Sequence, residues 1–178
     1  MKRGERGFTL IELLLVIGLV GLISGAASVT TIQVLTVTKS SNDHTIAIRQ
    51  VQNAGHWISN DALMAENVVV DDDPLTAEFL ILTWTEWGYD EDSTYHTVTY
   101  FFEDLSDGIG TLKRTHWSSA GTNEQTLIAE HIYYTPDVPE NTDTEAAYTT
   151  PVLTLQVVAS LGEATEIREY TTWRRPEF

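Results

Sequence analysis

The pattern of apolar positions changes twice along the chain, and its first part is a continuous apolar run. Between residues 8 and 27 the only ionisable side chain is Glu12, and Leu, Ile and Val dominate. About 20 residues of helix, at about 1.5 Å per residue, match the roughly 30 Å hydrocarbon core of a bilayer. The run therefore predicts a helix that crosses a membrane once.

The second part has the three- and four-residue spacing of an amphipathic helix. Residues 30 to 40 are rich in Thr and β-branched side chains, which are poor helix formers in isolation. We predict one helix from about Phe8 to about Glu66, least stable at residues 30 to 42. The stripe that should face a core consists of Ala47, Val51, Ala54, Ile58, Ala62 and Ala65.

In the third part, after residues 71 to 74, apolar residues alternate with polar ones and Thr, Val, Tyr, Phe and Trp are frequent. Short connections between such segments favour antiparallel pairing. The expected fold is α+β, with a long N-terminal transmembrane α-helix whose outer half packs on an antiparallel β-sheet. The predicted strands are Glu78 to Trp87, Thr94 to Glu103, Thr111 to Trp117, Thr126 to Tyr134, Pro151 to Ser160 and Glu166 to Arg174.

Charge narrows the possible partners of the sheet domain. The 178 residues include 26 acidic and 10 basic ones, a net charge of −16. Removing residues 1 to 7 would take away three bases and one acid, leaving 7 basic against 25 acidic residues. Such a surface repels phosphate, so we expect no nucleic acid binding by the globular domain. The absence of cysteine excludes disulfides and thiolate chemistry.

The basic residues Lys2, Arg3 and Arg6 all precede the apolar run. By the positive-inside rule they place the N-terminus in the cytoplasm and the C-terminal domain outside. Two alternatives are a secretory signal peptide and an anchor without further meaning. The run is longer than the 7 to 15 residues of a signal-peptide core and carries Glu12 in its leading edge, and both features count against a signal peptide.

Residues 6 to 14, RGFTLIELL, resemble the type IV prepilin signal, with a basic leader ending in Gly, an aromatic first mature residue and a Glu at the fifth. The resemblance covers about the first 25 residues. It implies that prepilin peptidase cleaves between Gly7 and Phe8, and that the same enzyme methylates the amine of Phe8. Its other implied partners are pilin or pseudopilin subunits and the assembly platform of the inner membrane.

The resemblance also gives Glu12 a physical role. A carboxylate inside a bilayer costs several kcal/mol, and such groups usually have a partner. The mature amine of Phe8 lies four residues earlier, about one helical turn or 6 Å. We hypothesise that a neighbouring subunit, displaced along a filament, brings its own amine to Glu12. Methylation leaves that amine charged.

Three glycines lie in the apolar run, Gly18, Gly21 and Gly25, and the last two have the GxxxG spacing that lets helices approach closely. They indicate either packing in a filament core or the general abundance of Gly in membrane helices. Many major pilins have a proline midway along this helix, which this sequence lacks. That difference, the aromatic-rich strands and the ending YTTWRR are more similar to minor subunits of the J or W type.

The resemblance implies a leader at residues 1–7, a transmembrane and filament-core helix at 8–28, an outer helix at 29–66 and a sheet domain at 67–178. We expect a minor pilin or pseudopilin of a type IV pilus or type II secretion filament, first in the cytoplasmic membrane and then at the cell surface. The alternatives are a major pilin and a membrane-anchored extracytoplasmic binding module.

Catalytic and metal-binding motifs are lacking. The histidines share no ligand spacing such as HExxH, and solvated or cross-strand histidines are expected. The acidic clusters near residues 71 to 73, 90 to 92 and 103 to 108 match no EF-hand loop, although a structural calcium stays open. We expect no cofactor and no enzyme activity. The five histidines are His44, His56, His96, His116 and His131.

Overall fold

The computed structural model describes residues 9–70, 78–89, 92–135 and 143–175. They form one helix followed by eight strands. The helix, α1, spans Leu10–Met64. The strands are β1 (Asn67–Val70), β2 (Glu78–Trp87), β3 (Ser93–Ser106), β4 (Ile109–Ser118), β5 (Asn123–Tyr133), β6 (Glu145–Thr149), β7 (Val152–Leu161) and β8 (Ala164–Trp173).

The chain divides into two units, Met1–Ser41 and Asn42–Phe178. The described part of the first unit is the N-terminal portion of α1. It is helical throughout, including the Thr-rich stretch that the sequence marks as weakest. There, hydroxyls of Ser28, Thr30, Thr31 and Thr36 each donate to the carbonyl four residues earlier, at 2.9 to 3.0 Å. These bonds satisfy the hydroxyl groups of polar side chains on an otherwise apolar helix.

The second unit combines the C-terminal portion of α1 with a single antiparallel sheet. The strand order is β1-β2-β3-β4-β5-β7-β6, and β8 pairs with β7. Strands β1 and β6, at the two ends of that order, also lie next to each other. The sheet therefore curls, with one concave and one convex face. All six predicted strands are confirmed, whereas β1 and β6 were not predicted.

The concave face holds the core. The six-residue stripe predicted on the helix, from Ala47 to Ala65, is confirmed, because each member is at most 1% exposed. Three of the members on α1 are alanines and a fourth alanine directly follows the helix, so little side-chain volume separates the helix from the sheet. The stripe belongs to one buried cluster with strand side chains, of which the largest are Leu80, Leu82, Val98, Tyr100, Phe102, Leu112, Ile128, Ile132, Leu153 and Leu155.

Polar contacts fix the helix against the sheet at three further points. The amide of Asn53 donates to the carbonyl of Ile128. The backbone N–H of Glu130 donates to Gln50 Oε1 at 3.0 Å. From β8, the Tyr170 hydroxyl donates to the carbonyl of Val51 at 3.0 Å. The predicted α+β fold, a long helix packed on an antiparallel sheet, is thus confirmed.

Candidate functional site

The start of α1 is built around Thr9 and Glu12. The N–H of Glu12 donates to Thr9 Oγ1 at 3.3 Å, and the N–H of Leu13 donates to the Thr9 carbonyl at 3.2 Å. Thr9 is therefore the N-cap, and Glu12 is the third residue of the first turn. A carboxylate at this position interacts favourably with the positive end of the helix dipole. The fold alone thus gives Glu12 a modest stabilising environment.

The surface that surrounds Glu12 is apolar and uncovered. Every large apolar side chain described between Leu10 and Val37 is 49 to 78% exposed. By length and composition, α1 contains one stretch that could cross a membrane, and none of that stretch is buried. An exposed apolar surface of this extent marks contact with lipid or with other proteins. The predicted membrane helix therefore has the surface that it needs.

Gly18, Gly21 and Gly25 leave the helix backbone open on this surface. A Cβ added at any of the three would meet no atom within 4 Å. At spacings of three and four residues, they lie along one side of α1. Their predicted role in helix packing stays a prediction. The other predicted site residues, Gly7 and Phe8, lie outside the described residues, so cleavage and methylation also stay predictions.

Comparison with protein families supplies the decisive observation. Residues 2–28 match the model of the prokaryotic N-terminal methylation motif. The match covers the basic segment, Glu12 and the start of the exposed helix, and the α+β architecture agrees with it. The N-terminal region is type IV pilin-like. A search of curated proteins and a search of solved structures found no match to it.

For a type IV pilin-like protein, the motif and the fold together indicate a structural subunit that is processed by prepilin peptidase, anchored in a membrane and assembled with other pilin subunits. That assignment places the important chemistry at the N-terminus and in packing surfaces. The second unit also contains polar clusters, and two of them bear on the candidate site residues. The sequence analysis did not identify the one between α1 and the sheet, and it expected the other only as cross-strand histidines.

The first cluster lies between α1 and the sheet. Asp61 accepts hydrogen bonds from Arg114 Nε at 2.7 Å and Nη2 at 3.0 Å, and also from the Tyr100 hydroxyl. The side chains of Asp61 and Arg114 are only 12% and 10% exposed. The Arg114 guanidinium also lies over the ring of Trp57, 5.3 Å from its centroid.

Burial and the neighbouring carboxylate set the ionisation of this cluster. Burial, reinforced by the charge of Asp61, raises the pKa of the Tyr100 hydroxyl far above its ordinary value. Burial alone lowers the pKa of Arg114, but the hydrogen bonds and charge of Asp61 outweigh it, so that pKa is raised. The phenol therefore stays protonated and the guanidinium charged. The cluster is a fixed link between helix and sheet.

The second cluster is a histidine pair on β3 and β4. His96 Nδ1 lies 3.0 Å from His116 Nε2, and both rings lie near Trp84 at centroid distances of 5.1 and 5.9 Å. His96 Nε2 lies 3.3 Å from Glu86 Oε2. The expectation of cross-strand histidines is confirmed for this pair. Burial first, and then the charges of Arg114 and His96, lower the pKa of His116.

The other candidate metal ligands do not come together. His44 and His56 are exposed on α1, and His131 lies on β5. Within residues 9–70, 78–89, 92–135 and 143–175, no three His, Asp or Glu side chains are grouped so as to hold a metal ion. Of the acidic clusters, residues 71 to 73, 90 and 91 lie outside the described residues. Calcium binding there stays an open prediction.

Proposed function

We propose that this protein is a minor pilin or pseudopilin, a subunit that helps to assemble a type IV pilus or a type II secretion-like filament. The observation that carries the proposal is the N-terminal methylation motif continuing directly into a helix whose apolar side chains are exposed. The absence of a proline in the N-terminal half of α1 favours a minor over a major subunit. In the family that this chain resembles, J- and W-type subunits sit at the filament tip and prime assembly, and we extend that role to this protein by resemblance.

In the proposed pathway, the protein first crosses the cytoplasmic membrane with residues 1 to 7 in the cytoplasm. Prepilin peptidase cleaves between Gly7 and Phe8 and methylates the new amine. The helix then leaves the bilayer and packs among the helices of other subunits. The glycines at positions 18, 21 and 25 allow close approach on one side of α1, because their backbone is uncovered.

Glu12 supplies the register in this assembly. Its carboxylate is in the first turn of α1, surrounded by exposed apolar side chains. In an apolar filament core, an unpaired carboxylate is costly and a paired one is tolerated. The methylated amine of an adjacent subunit carries the complementary charge. Correct axial stagger between subunits therefore brings the two charges together.

Mass spectrometry of the protein isolated from cells tests the processing step. We expect a mature chain that begins with N-methylated Phe8. A chain that retains Met1, or that begins near Ala27, contradicts the proposal and supports an unprocessed anchor or a secretory signal peptide. The same sample, fractionated into membranes and sheared filaments, separates a scarce minor subunit from an abundant major one.

The variant Glu12→Gln tests the assembly step, because it keeps the side-chain shape and removes the charge. We expect normal membrane insertion and cleavage but reduced recovery in filaments. Lys39→Gln is the matched control, since it removes an exposed charge from the same helix outside the apolar run. Equal recovery of Glu12→Gln and wild type would refute the pairing and favour a membrane-anchored binding module.

A further inference from the structure

The convex face of the sheet carries a separate set of side chains, here called the outer face. It consists of the side chains of β1 to β5 that alternate with those packed against α1, and none of them is buried. It includes Glu78, Trp87, Tyr95, Glu103, Lys113 and Trp117, with mostly Thr, Ser, Asn and Gln side chains between them.

Three aromatic residues form a diagonal row across this face. Trp87, Tyr95 and Trp117 lie on the adjacent strands β2, β3 and β4, and they are 70%, 45% and 46% exposed. The register places Trp87 opposite Ser93 and Trp117 opposite Thr97, so each ring is offset from the next by two residues along the strands. Strand spacing and rise give a row of about 16 Å.

Two rings of the row support each other, and the row is carried by paired strands. Tyr95 and Trp117 contact each other edge to face, with centroids 6.4 Å apart. The N–H of Tyr95 donates to the hydroxyl of Ser119 at 2.9 Å, which fixes the end of β3 against the turn after β4. Because the strands that carry the rings are paired, no backbone has to become ordered when the rings bind a ligand.

The outer face is nearly free of net charge, in contrast to the chain as a whole. The sequence has 36 charged side chains and a net charge of −16. On the described outer face, the charged residues are Glu78, Glu103 and Lys113, and the last two form an ion pair. Hydroxyl and amide side chains occupy most of the remaining positions. Such a surface offers no cationic patch to nucleic acid or to anionic lipid.

We propose that the outer face binds a neutral polysaccharide, with Trp87, Tyr95 and Trp117 as the stacking platform. A sugar ring has a flat C–H face that fits an aromatic ring and a rim of hydroxyls that bonds to Thr, Asn and Gln side chains. The row is long enough for several sugar units. An open depression of about 380 Å³, lined by Glu78, Thr99, Phe101 and Thr115, lies on the same face.

The binding face lies entirely on the second unit of the chain, so its role does not depend on the filament function proposed for α1. The two proposals can therefore fail separately. The protein could enter filaments without binding sugar, or bind sugar without entering filaments. The test uses the full chain in a detergent without a sugar headgroup. The probes are insoluble cellulose and chitin as neutral polysaccharides, and heparin–agarose as an anionic one.

We expect the protein to co-sediment with at least one neutral polysaccharide and not with heparin, and to do so equally at low and high salt, because no charge pair is involved. Trp87→Ala or Trp117→Ala should weaken that binding by roughly three- to tenfold, the contribution of one aromatic contact. Trp117→Phe should keep most of it. Trp173→Ala, which removes an equally exposed indole from β8, should bind as wild type.

Failure to bind either neutral polysaccharide overturns the proposal, as does binding that salt abolishes. An equal loss in Trp173→Ala would mean that the effect is not specific to the outer face. Near-ultraviolet circular dichroism of each variant shows whether its fold is intact. A different outcome is that the full chain in detergent forms dimers as its concentration rises. If Trp117→Ala prevents this, the outer face binds a second copy of the chain and the proposal is wrong.

Discussion

Replacing Asp61 with Ala should destabilise the second unit more than any substitution on its surface. Asp61 accepts both donors of the Arg114 guanidinium and the hydroxyl of Tyr100, in a site that solvent barely reaches. Removing the carboxylate leaves a buried cation and a buried hydroxyl without their acceptor. The loss is therefore dominated by the desolvation of the groups that remain.

The size of this loss follows from the burial of the pair. Breaking a buried, hydrogen-bonded ion pair on one side costs about 3 to 5 kcal/mol of the free energy of unfolding. Since domains of this size have about 5 to 15 kcal/mol in total, a large share of the stability is removed. At about 4 °C per kcal/mol for a domain of between 100 and 150 residues, Tm should fall by about 12 to 20 °C.

A variant that removes all three polar side chains of the cluster tests this explanation by comparison with Asp61→Ala. In Asp61→Leu/Tyr100→Phe/Arg114→Met no polar group is left unpaired, so the loss should be smaller than in Asp61→Ala. Unfolding of the full chain in micelles, followed by near-ultraviolet circular dichroism, gives both values. Lys113→Met, which breaks the partly exposed pair with Glu103, is the control and should cost less than about 1 kcal/mol.

Two outcomes would refute the account. One is a single variant Asp61→Ala that loses no more stability than Lys113→Met. The other is a triple variant that is less stable than Asp61→Ala, which would mean that the three polar groups contribute net attraction beyond mutual satisfaction.

Two further predictions concern the same unit. The pKa of His116 lies below its ordinary value of 6.5, so below about pH 6.5 the unfolded chain takes up a proton that the folded protein does not, and stability falls. His116→Gln should therefore lose less Tm than wild type between pH 7 and pH 5, and an equal loss would contradict this. Gly55→Ala should lower Tm through overpacking of about 1 to 3 kcal/mol, because its Cβ would lie 2.1 Å from Tyr170 Cζ. Gly21→Ala, with open space around it, should not lower Tm.

The helix could be predicted from the sequence because its signal is local and repeated. The stripe from Ala47 to Ala65 keeps a three- and four-residue spacing, and the structure buries every member of it. The six long strands were recognisable for the same reason. Strand β6 was missed because its residues, EAAYT, include Glu and two Ala, which are depleted in strands, and because it owes its place to pairing with β7.

The turn after β3 has a sequence signal for a two-residue hairpin. Strand β3 continues to Ser106, which pairs with Ile109, so the connection is only Asp107 and Gly108. Both residues have positive φ, of 52° and 78°, as a two-residue hairpin turn requires. A dipeptide Asp-Gly between two alternating segments predicts such a hairpin, whereas the sequence interpretation placed a longer loop there.

The buried ion pair could also have been predicted from the pattern of apolar and charged positions. Asp61 lies three residues after Ile58, on the apolar side of α1, and Arg114 has the same parity as the buried Leu112 on β4. Each charge on an otherwise apolar face calls for a partner of opposite sign. What the sequence could not supply is the curl of the sheet, because it arises from long-range pairing that brings β1 beside β6.

Helix α1 thus carries two carboxylates on apolar surfaces, and their charges are neutralised in different ways. Asp61 has its cation in the same chain, where Arg114 is delivered by β4. Among the residues that the structure describes, no basic group pairs with Glu12, and the apolar side chains beside it are exposed. If that surface becomes covered by lipid or by neighbouring helices, the carboxylate must obtain a cation from outside its own fold or become protonated. In the assembly proposed above, that cation is the amine that cleavage exposes on a neighbouring subunit, so the proposal makes processing a precondition for packing.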